Sequence, residues 1–361
     1  MRLSIVLSFV LAIILAGLAV LGARNWLAAE RQQITASIPE IIRSDENSPK
    51  NTVVVAAEQI SFGERLNPSK VREIEWSGDL LPQGSFTTIE DLIQLALRED
   101  IGPGDITTDN LVEAGVSGSG ILLAKQNLVI AGLAVAETVF KTLEPRIEFT
   151  ASFSDGQRVR SGGIVATVKG SLKALLKGER TALNFLQRMS GIATQANDLV
   201  AMVAGTNVKL VDTRKTTPGW RELEKYSVRM GGAHNHRMGL YDGVLIKDNH
   251  IAVCGGIANA VEKVRREISH LVKVEVEVSS MEEVETALAA GVDIIMLDNM
   301  DLAQIGQAVR LIDKKALVEV SGNVTGERLA DLSRTGVDLI SMGALTHSAV
   351  AVDLSMRIES N

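Results

Sequence analysis

From residue 208 to residue 342 the chain alternates short, β-branched apolar runs with stretches of helical period. Strands are predicted at Val208–Asp212, Gly243–Ile246, Val272–Val278, Ile294–Leu297, Leu317–Val320 and Leu339–Met342. Helices are predicted between most of them, at about 256–269, 281–290, 301–313 and 325–335. Alternation of this kind makes a parallel sheet covered on both faces. With six repeats and no dinucleotide-binding glycine fingerprint, a closed or nearly closed α/β barrel is expected over residues 204–361. Residues 94–203 read as an α+β domain. It has a short helix over Leu95–Asp100, strands at 120–124, 147–153 and 163–168, a helix around 132–143 and another over Gly178–Ile192. The last helix of the chain is expected to pack back on that domain.

Barrels of this class place their chemistry at the carboxyl ends of the strands. Every predicted strand here ends in ionisable or small polar residues: Asp212–Gly219, Lys247–His250, Glu275 and Glu277, Asp298–Asn299, Ser321–Asn323 and Gly343–Ser348. Cations dominate the early strands, in Arg214, Lys215, His236, Arg237 and Lys247, with Arg180 on the preceding helix. Converging cations are costly unless an anion binds among them, and arginine suits carboxylate or phosphate recognition. Glu277 and Asp298 fit Mg²⁺, which takes one or two protein carboxylates plus substrate phosphate oxygens. The small residues after the last two strands would let backbone N–H groups cradle a phosphate. The residues alone thus point to a Mg²⁺-assisted enzyme for a phosphorylated sugar and an anionic co-substrate.

Composition narrows the alternatives. Aromatic residues make up 3% of the chain, too few for a base-stacking nucleic-acid platform, and the net charge of −7 argues against a general polyanion binder. The single cysteine, Cys254, excludes an internal disulfide and a Cys-x-x-Cys zinc framework. Taken singly, several residues have plain readings. Arg180 with Glu179 would be a surface pair, and Glu275 with Glu277 a solvated pair. His250 would brace a loop, and His347 would be a turn residue. The His234-x-His236 spacing raises a zinc hydrolase as a rival, but it lacks the further histidine and aspartate ligands such a site needs.

The segments Gly178–Phe185, Asp212–Gly219, Leu223–Tyr226, Asn235–Arg237, Leu245–His250, Val274–Val278 and Gly343–Ser348, in this order and spacing, resemble the motifs of quinolinate phosphoribosyltransferases, from about Gln94 to the C-terminus. The resemblance implies that quinolinate and phosphoribosyl pyrophosphate give nicotinate mononucleotide, pyrophosphate and CO₂. It implies that Arg214, His236, Arg237 and Lys247 hold the two quinolinate carboxylates. Arg180 would come from the neighbouring subunit of a homodimer. Thr213, Lys215, Glu277, Asp298, Asn299, Ser321, Gly322, Asn323, Gly343, Ala344 and Leu345 would hold phosphoribosyl pyrophosphate and its Mg²⁺, with Lys215, Glu277 and Asp298 as the catalytic group. A paralogue for another pyridine carboxylate is the nearest alternative, though nicotinate has only one carboxylate to occupy this many cations.

The front of the chain has a different character. Residues 3–23 carry no charged side chain and are long enough to span a bilayer, so residues 1–24 are expected to be a transmembrane helix. Arg2 on one side and Arg24 and Arg31 on the other leave its orientation nearly balanced. A polar linker follows over 25–51. Residues 52–93, with Thr52–Ala57, Ser61–Leu66 and Leu80–Leu92, resemble the start of the SAF-type domain of Flp-type pilus assembly proteins; a small β-rich spacer is the plainer reading. Such domains lie outside the cytoplasm, whereas phosphoribosyl pyrophosphate is cytoplasmic. The enzyme part is therefore expected to face the cytoplasm, unless the joining is accidental or the chain is a membrane scaffold carrying a silent enzyme.

Overall fold

The computed structural model describes residues 52–56, 71–75 and 88–359. The expected membrane helix and linker lie outside these residues. Among the described residues no helix is long and apolar enough to cross a membrane. The chain divides into two units, the second beginning at Thr87. In the first, β1 (Thr52–Ala56) pairs antiparallel with β2 (Val71–Glu75), Thr52 opposite Glu75. This agrees with the strand signal at 52–57, and the rest of the expected SAF-like segment up to Phe86 lies outside the described residues.

The enzyme unit starts earlier than the sequence boundary at 93/94. Helix α1 (Ile89–Ile101) begins at a capping box, in which the Thr88 hydroxyl accepts from the Asp91 N–H and the Asp91 carboxylate accepts from the Thr88 N–H. Next come α2 (Thr108–Leu111), β3 (Ser117–Ala124), β4 (Leu128–Val129), α3 (Leu133–Leu143), β5 (Glu148–Ala151), β6 (Arg158–Val159) and β7 (Ile164–Ser171). Helix α4 (Leu172–Met202) runs 31 residues, well beyond the stretch expected from periodicity. It buries Leu175, Ala182, Leu186 and Met189 against the first domain and carries Ile192, Ala196 and Leu199 into the core of the barrel.

The barrel follows as β8 (Lys209–Val211), α5 (Arg221–Met230), β9 (Val244–Ile246), α6 (Asp248–Cys254), α7 (Ile257–Glu267), β10 (Val274–Val278), α8 (Met281–Ala289), β11 (Ile294–Asp298), α9 (Leu302–Ile312), β12 (Leu317–Ser321), α10 (Gly326–Leu332), β13 (Leu339–Ser341) and α11 (Ala344–His347). Its six strands are all parallel, in the order β8-β13-β12-β11-β10-β9. The barrel is open between β8 and β9, where only a parallel bridge from Val211 to His234 extends the β8 edge. The last described element is a strand and not the expected helix. Leu354–Glu359 forms β14, which returns to the first domain and pairs antiparallel with β3 in the sheet β14-β3-β7-β5. Buried Leu354 and Met356 alternate with Ser355 and Arg357, the two-residue period of a half-buried strand.

Register decides what faces inward. Glu277 pairs with Met296, Met296 with Glu319, and Glu319 with Leu339; one pleat along, Asp298 pairs with Ser321. The alternate residues Val276, Val278, Ile295, Leu297, Val318, Val320 and Ile340 point outward into the apolar layer under the helices. Each such side chain contributes roughly 1.5–3 kcal/mol by leaving water. A one-residue slip would turn this layer into the barrel interior and press the carboxylates under the helices, so hydrophobic burial fixes the position of the polar set.

Candidate active site

A cavity of about 790 Å³ opens at the carboxyl ends of the barrel strands. Thr213, Arg214, Lys215, His236, Arg237 and Lys247 line it. Glu277, Asp298, Asn299, Ser321, Gly322, Asn323, Gly343 and Ala344 also reach it. Two of the expected residues do not. Leu345 is fully buried in the barrel core, because the first turn of α11 points it inward. Arg180 is exposed on α4 and lines no part of its own chain's cavity.

The cationic loop after β8 is held by buried charge. Asp212 and Lys225 are both fully buried and paired with each other. The Asp212 carboxylate also accepts from the His236 N–H at 2.9 Å, and Lys225 donates to the His236 carbonyl at 3.1 Å. Burial raises the Asp212 pKa, with Lys225, His236 and Asn235 opposing. Further along, Thr217 donates its hydroxyl and its N–H to the buried Glu224 carboxylate. Arg188 reaches from α4 to bond Glu224 and the Thr346 carbonyl, both at 2.8 Å, and the Thr346 hydroxyl donates to the Lys215 carbonyl. Helices α4, α5 and α11 therefore fix the backbone that carries Arg214 and Lys215. Burial and the Arg214 charge press the Arg237 guanidinium below its usual range, against Glu275 and Asp242. Two arginines crowded in this way form a site suited to an anion.

Across the adjacent strands β9 and β10, Lys247 pairs with Glu277. The Lys247 N–H donates to His250 Nδ1 at 3.0 Å, so His250 braces the start of α6, in agreement with its plain reading as a loop brace. Asp298 Oδ2 accepts from Asn299 Nδ2 at 2.9 Å. Gly322, at φ +85°, leaves no room for a side chain: a Cβ there would lie 2.3 Å from Asn299 Oδ1 and 2.8 Å from Asp298 Oδ1. At Gly343 a Cβ would lie 2.8 Å from the Lys215 chain and 3.1 Å from the His347 ring. His347 lines the cavity and is more than a turn residue.

The reading of Glu275 as solvated is overturned. It is 4% exposed, and its Oε2 lies 2.9 Å from His236 Nε2. Glu319, also missed as a site residue, is 0% exposed, lines the cavity floor and lies 3.7 Å from the same nitrogen. The signal was available in Val318-Glu319-Val320, a carboxylate inside a short apolar strand. His234 is exposed and lies outside the cavity, so the His-x-His pair does not converge.

The C-terminal domain model of quinolinate phosphoribosyl transferase matches residues 192–357, and its N-terminal domain model matches residues 105–190. A Synechocystis protein described as a probable nicotinate-nucleotide pyrophosphorylase (carboxylating) is 45% identical over 278 residues, covering 76% of this chain and 93% of that protein. The chain belongs to the quinolinate phosphoribosyl transferase family. A Bacillus subtilis family member of the same description is 41% identical over 270 residues, covering 75% of this chain and 93% of that protein. The crystal structure of NadC from Streptococcus pyogenes superposes with a TM-score of 0.73 at 42% identity, covering 78% of this chain and 99% of that one.

Proposed function

We infer that the chain is a carboxylating nicotinate-nucleotide pyrophosphorylase, a pentosyltransferase that joins quinolinate to phosphoribosyl pyrophosphate and releases pyrophosphate and CO₂. The observation that carries this is the convergence of Arg214, Arg237, His236 and Lys247 in one cavity with Glu277 and Asp298. Two adjacent carboxylates on a pyridine ring suit that many cations, and a single carboxylate does not. The cations orient the ring nitrogen toward the anomeric carbon, and positioning supplies much of the rate. Lys215, packed against Gly343, meets the leaving pyrophosphate. Glu277 and Asp298 face positive charge developing on the ribose.

The residues present fit Mg²⁺. Glu277 and Asp298 are hard oxygen donors on one face of adjacent strands, and both open into the cavity. Bound there together with the pyrophosphate, the ion would neutralise the charge of the leaving group. Arg180, exposed and outside its own cavity, would complete the site of a second copy in a homodimer. The unit before Thr87 would anchor the enzyme to a membrane through residues 3–23, with the catalytic unit in the cytoplasm.

The test is turnover by the full chain with quinolinate, phosphoribosyl pyrophosphate and Mg²⁺, following nicotinate mononucleotide. Product is expected from the unaltered protein, with loss of about 10²-fold or more in Lys215→Ala and Arg237→Ala. Absence of product from folded protein would reject the reading.

A further inference from the structure

His236 meets the buried Glu275 and Glu319 in the barrel interior, and substrate binding does not account for the two carboxylates. His236 Nε2 is 2.9 Å from Glu275 Oε2 and 3.7 Å from Glu319 Oε1. Neither oxygen of Glu319 has a hydrogen-bond partner among the described residues, nor has Glu275 Oε1. Buried carboxyls with three orphaned oxygens are costly unless a nearby positive charge offsets them. The imidazole is the group in contact. Its Nε2 edge is turned down to Glu275. Its Nδ1 bonds no protein group among the described residues, and the residue lines the cavity.

The reaction inferred above needs something at that edge. When the C2 carboxylate leaves as CO₂, the electron pair of the broken C–C bond stays on ring C2, and nicotinate mononucleotide forms only when a proton arrives there. Arg214 and Arg237 are far too weak as acids, and Lys247, paired with Glu277, serves to bind a carboxylate. Lys215 and His347 lie together against Gly343, where the phosphates are placed.

We propose that His236, seated on Glu275 and Glu319, delivers the proton to C2 after decarboxylation. The proposal rests on the quinolinate reading. In the step, the Nδ1–H bond breaks and the C2–H bond forms. The ring is left neutral, with its Nε2–H still donated to Glu275. A proton from water entering the cavity after product release restores Nδ1. The surroundings favour the charged ring. Burial alone would lower the His236 pKa, but the hydrogen bond and charge of Glu275 and the charge of Glu319 outweigh it against Lys225, leaving it above the ordinary value. Arg214 and Arg237 line the same cavity, and the Asp212 carboxylate accepts from the His236 N–H. Glu275 and Glu319 are positioning residues.

The experiment is a rapid-quench single turnover of the full chain with saturating quinolinate, phosphoribosyl pyrophosphate and Mg²⁺, measuring pyrophosphate and nicotinate mononucleotide separately. In His236→Gln, nicotinate mononucleotide is expected to lag pyrophosphate by about 10²-fold, the usual contribution of a positioned general acid. Quinolinate mononucleotide should accumulate meanwhile, because the C2 carbanion recaptures CO₂ in the cavity when no proton arrives. Glu275→Gln should give a smaller lag of the same kind. Arg237→Ala, a binding change, should slow both products together. If the two products stay synchronous in both His236→Gln and His236→Asn, His236 only binds and the proposal fails. If the unaltered chain releases no pyrophosphate, the phosphoribosyl transfer reading fails first, and that outcome is distinct from a lag.

Discussion

At the scale of single residues, the site depends on charges placed where they are expensive alone. Lys225 and Asp212 are both fully buried, and each is tolerable only because of the other. Lys225→Met leaves Asp212 without its cation and is expected to destabilise the fold by about 3–5 kcal/mol. The midpoint of urea unfolding measures this. Glu319 makes a prediction of opposite sign. Burial and the Glu275 charge push its pKa from 4.5 up to about 7. A carboxyl whose pKa is raised on folding binds more protons folded than unfolded in that interval. Stability therefore falls as pH rises from about 4.5 through about 7, as linkage requires. Glu319→Gln removes the titration, so its stability should change less with pH over that window. At pH 8 it should unfold at a higher midpoint than the unaltered protein. The strand-end residues were legible because type and position coincided: Arg237, Lys247 and Asp298 stand where a barrel places its chemistry. Glu275 and Glu319 were not, because nothing local distinguishes an inward carboxylate from a solvated one until the register of β10 against β11 and β12 is known.

At the scale of elements, the loop after β8 holds its shape through three helices. Arg188 on α4 bonds Glu224 on α5 and two carbonyls around α11, Thr346 and Ala349. Arg188→Met is expected to lower kcat/KM by about 10²-fold through displacement of Lys215, without touching substrate. Near-normal steady-state kinetics in this variant would show that the loop holds itself. None of this could be read from the sequence, since Arg188 lies 36 residues from Glu224 and 158 from Thr346 along the chain. Periodicity located every barrel strand to within a few residues, because each is a β-branched run bounded by turns. It failed at α1, whose start lies in the Thr88–Asp91 capping box, and at β14, whose alternation is only one strand long.

At the scale of the whole molecule, the exposed Arg180 predicts that activity belongs to an assembly. Arg180→Ala and Lys215→Ala should each be inactive alone. In a homodimer with shared sites, mixing and exchanging the two subunits should restore about a quarter of the sites, because each mixed dimer carries one intact site. No recovery after demonstrated exchange would confine the site to a single subunit. The cavity that gathers Arg214, His236, Arg237 and Lys247 is proposed to hold two carboxylates on one ring. The most direct measurement sets quinolinate against nicotinate as competing acceptors of phosphoribosyl pyrophosphate, counting pyrophosphate and CO₂. Preference for quinolinate, with CO₂ and pyrophosphate released in equal amounts, is the predicted result. Preference for nicotinate, or pyrophosphate release without CO₂, would contradict it.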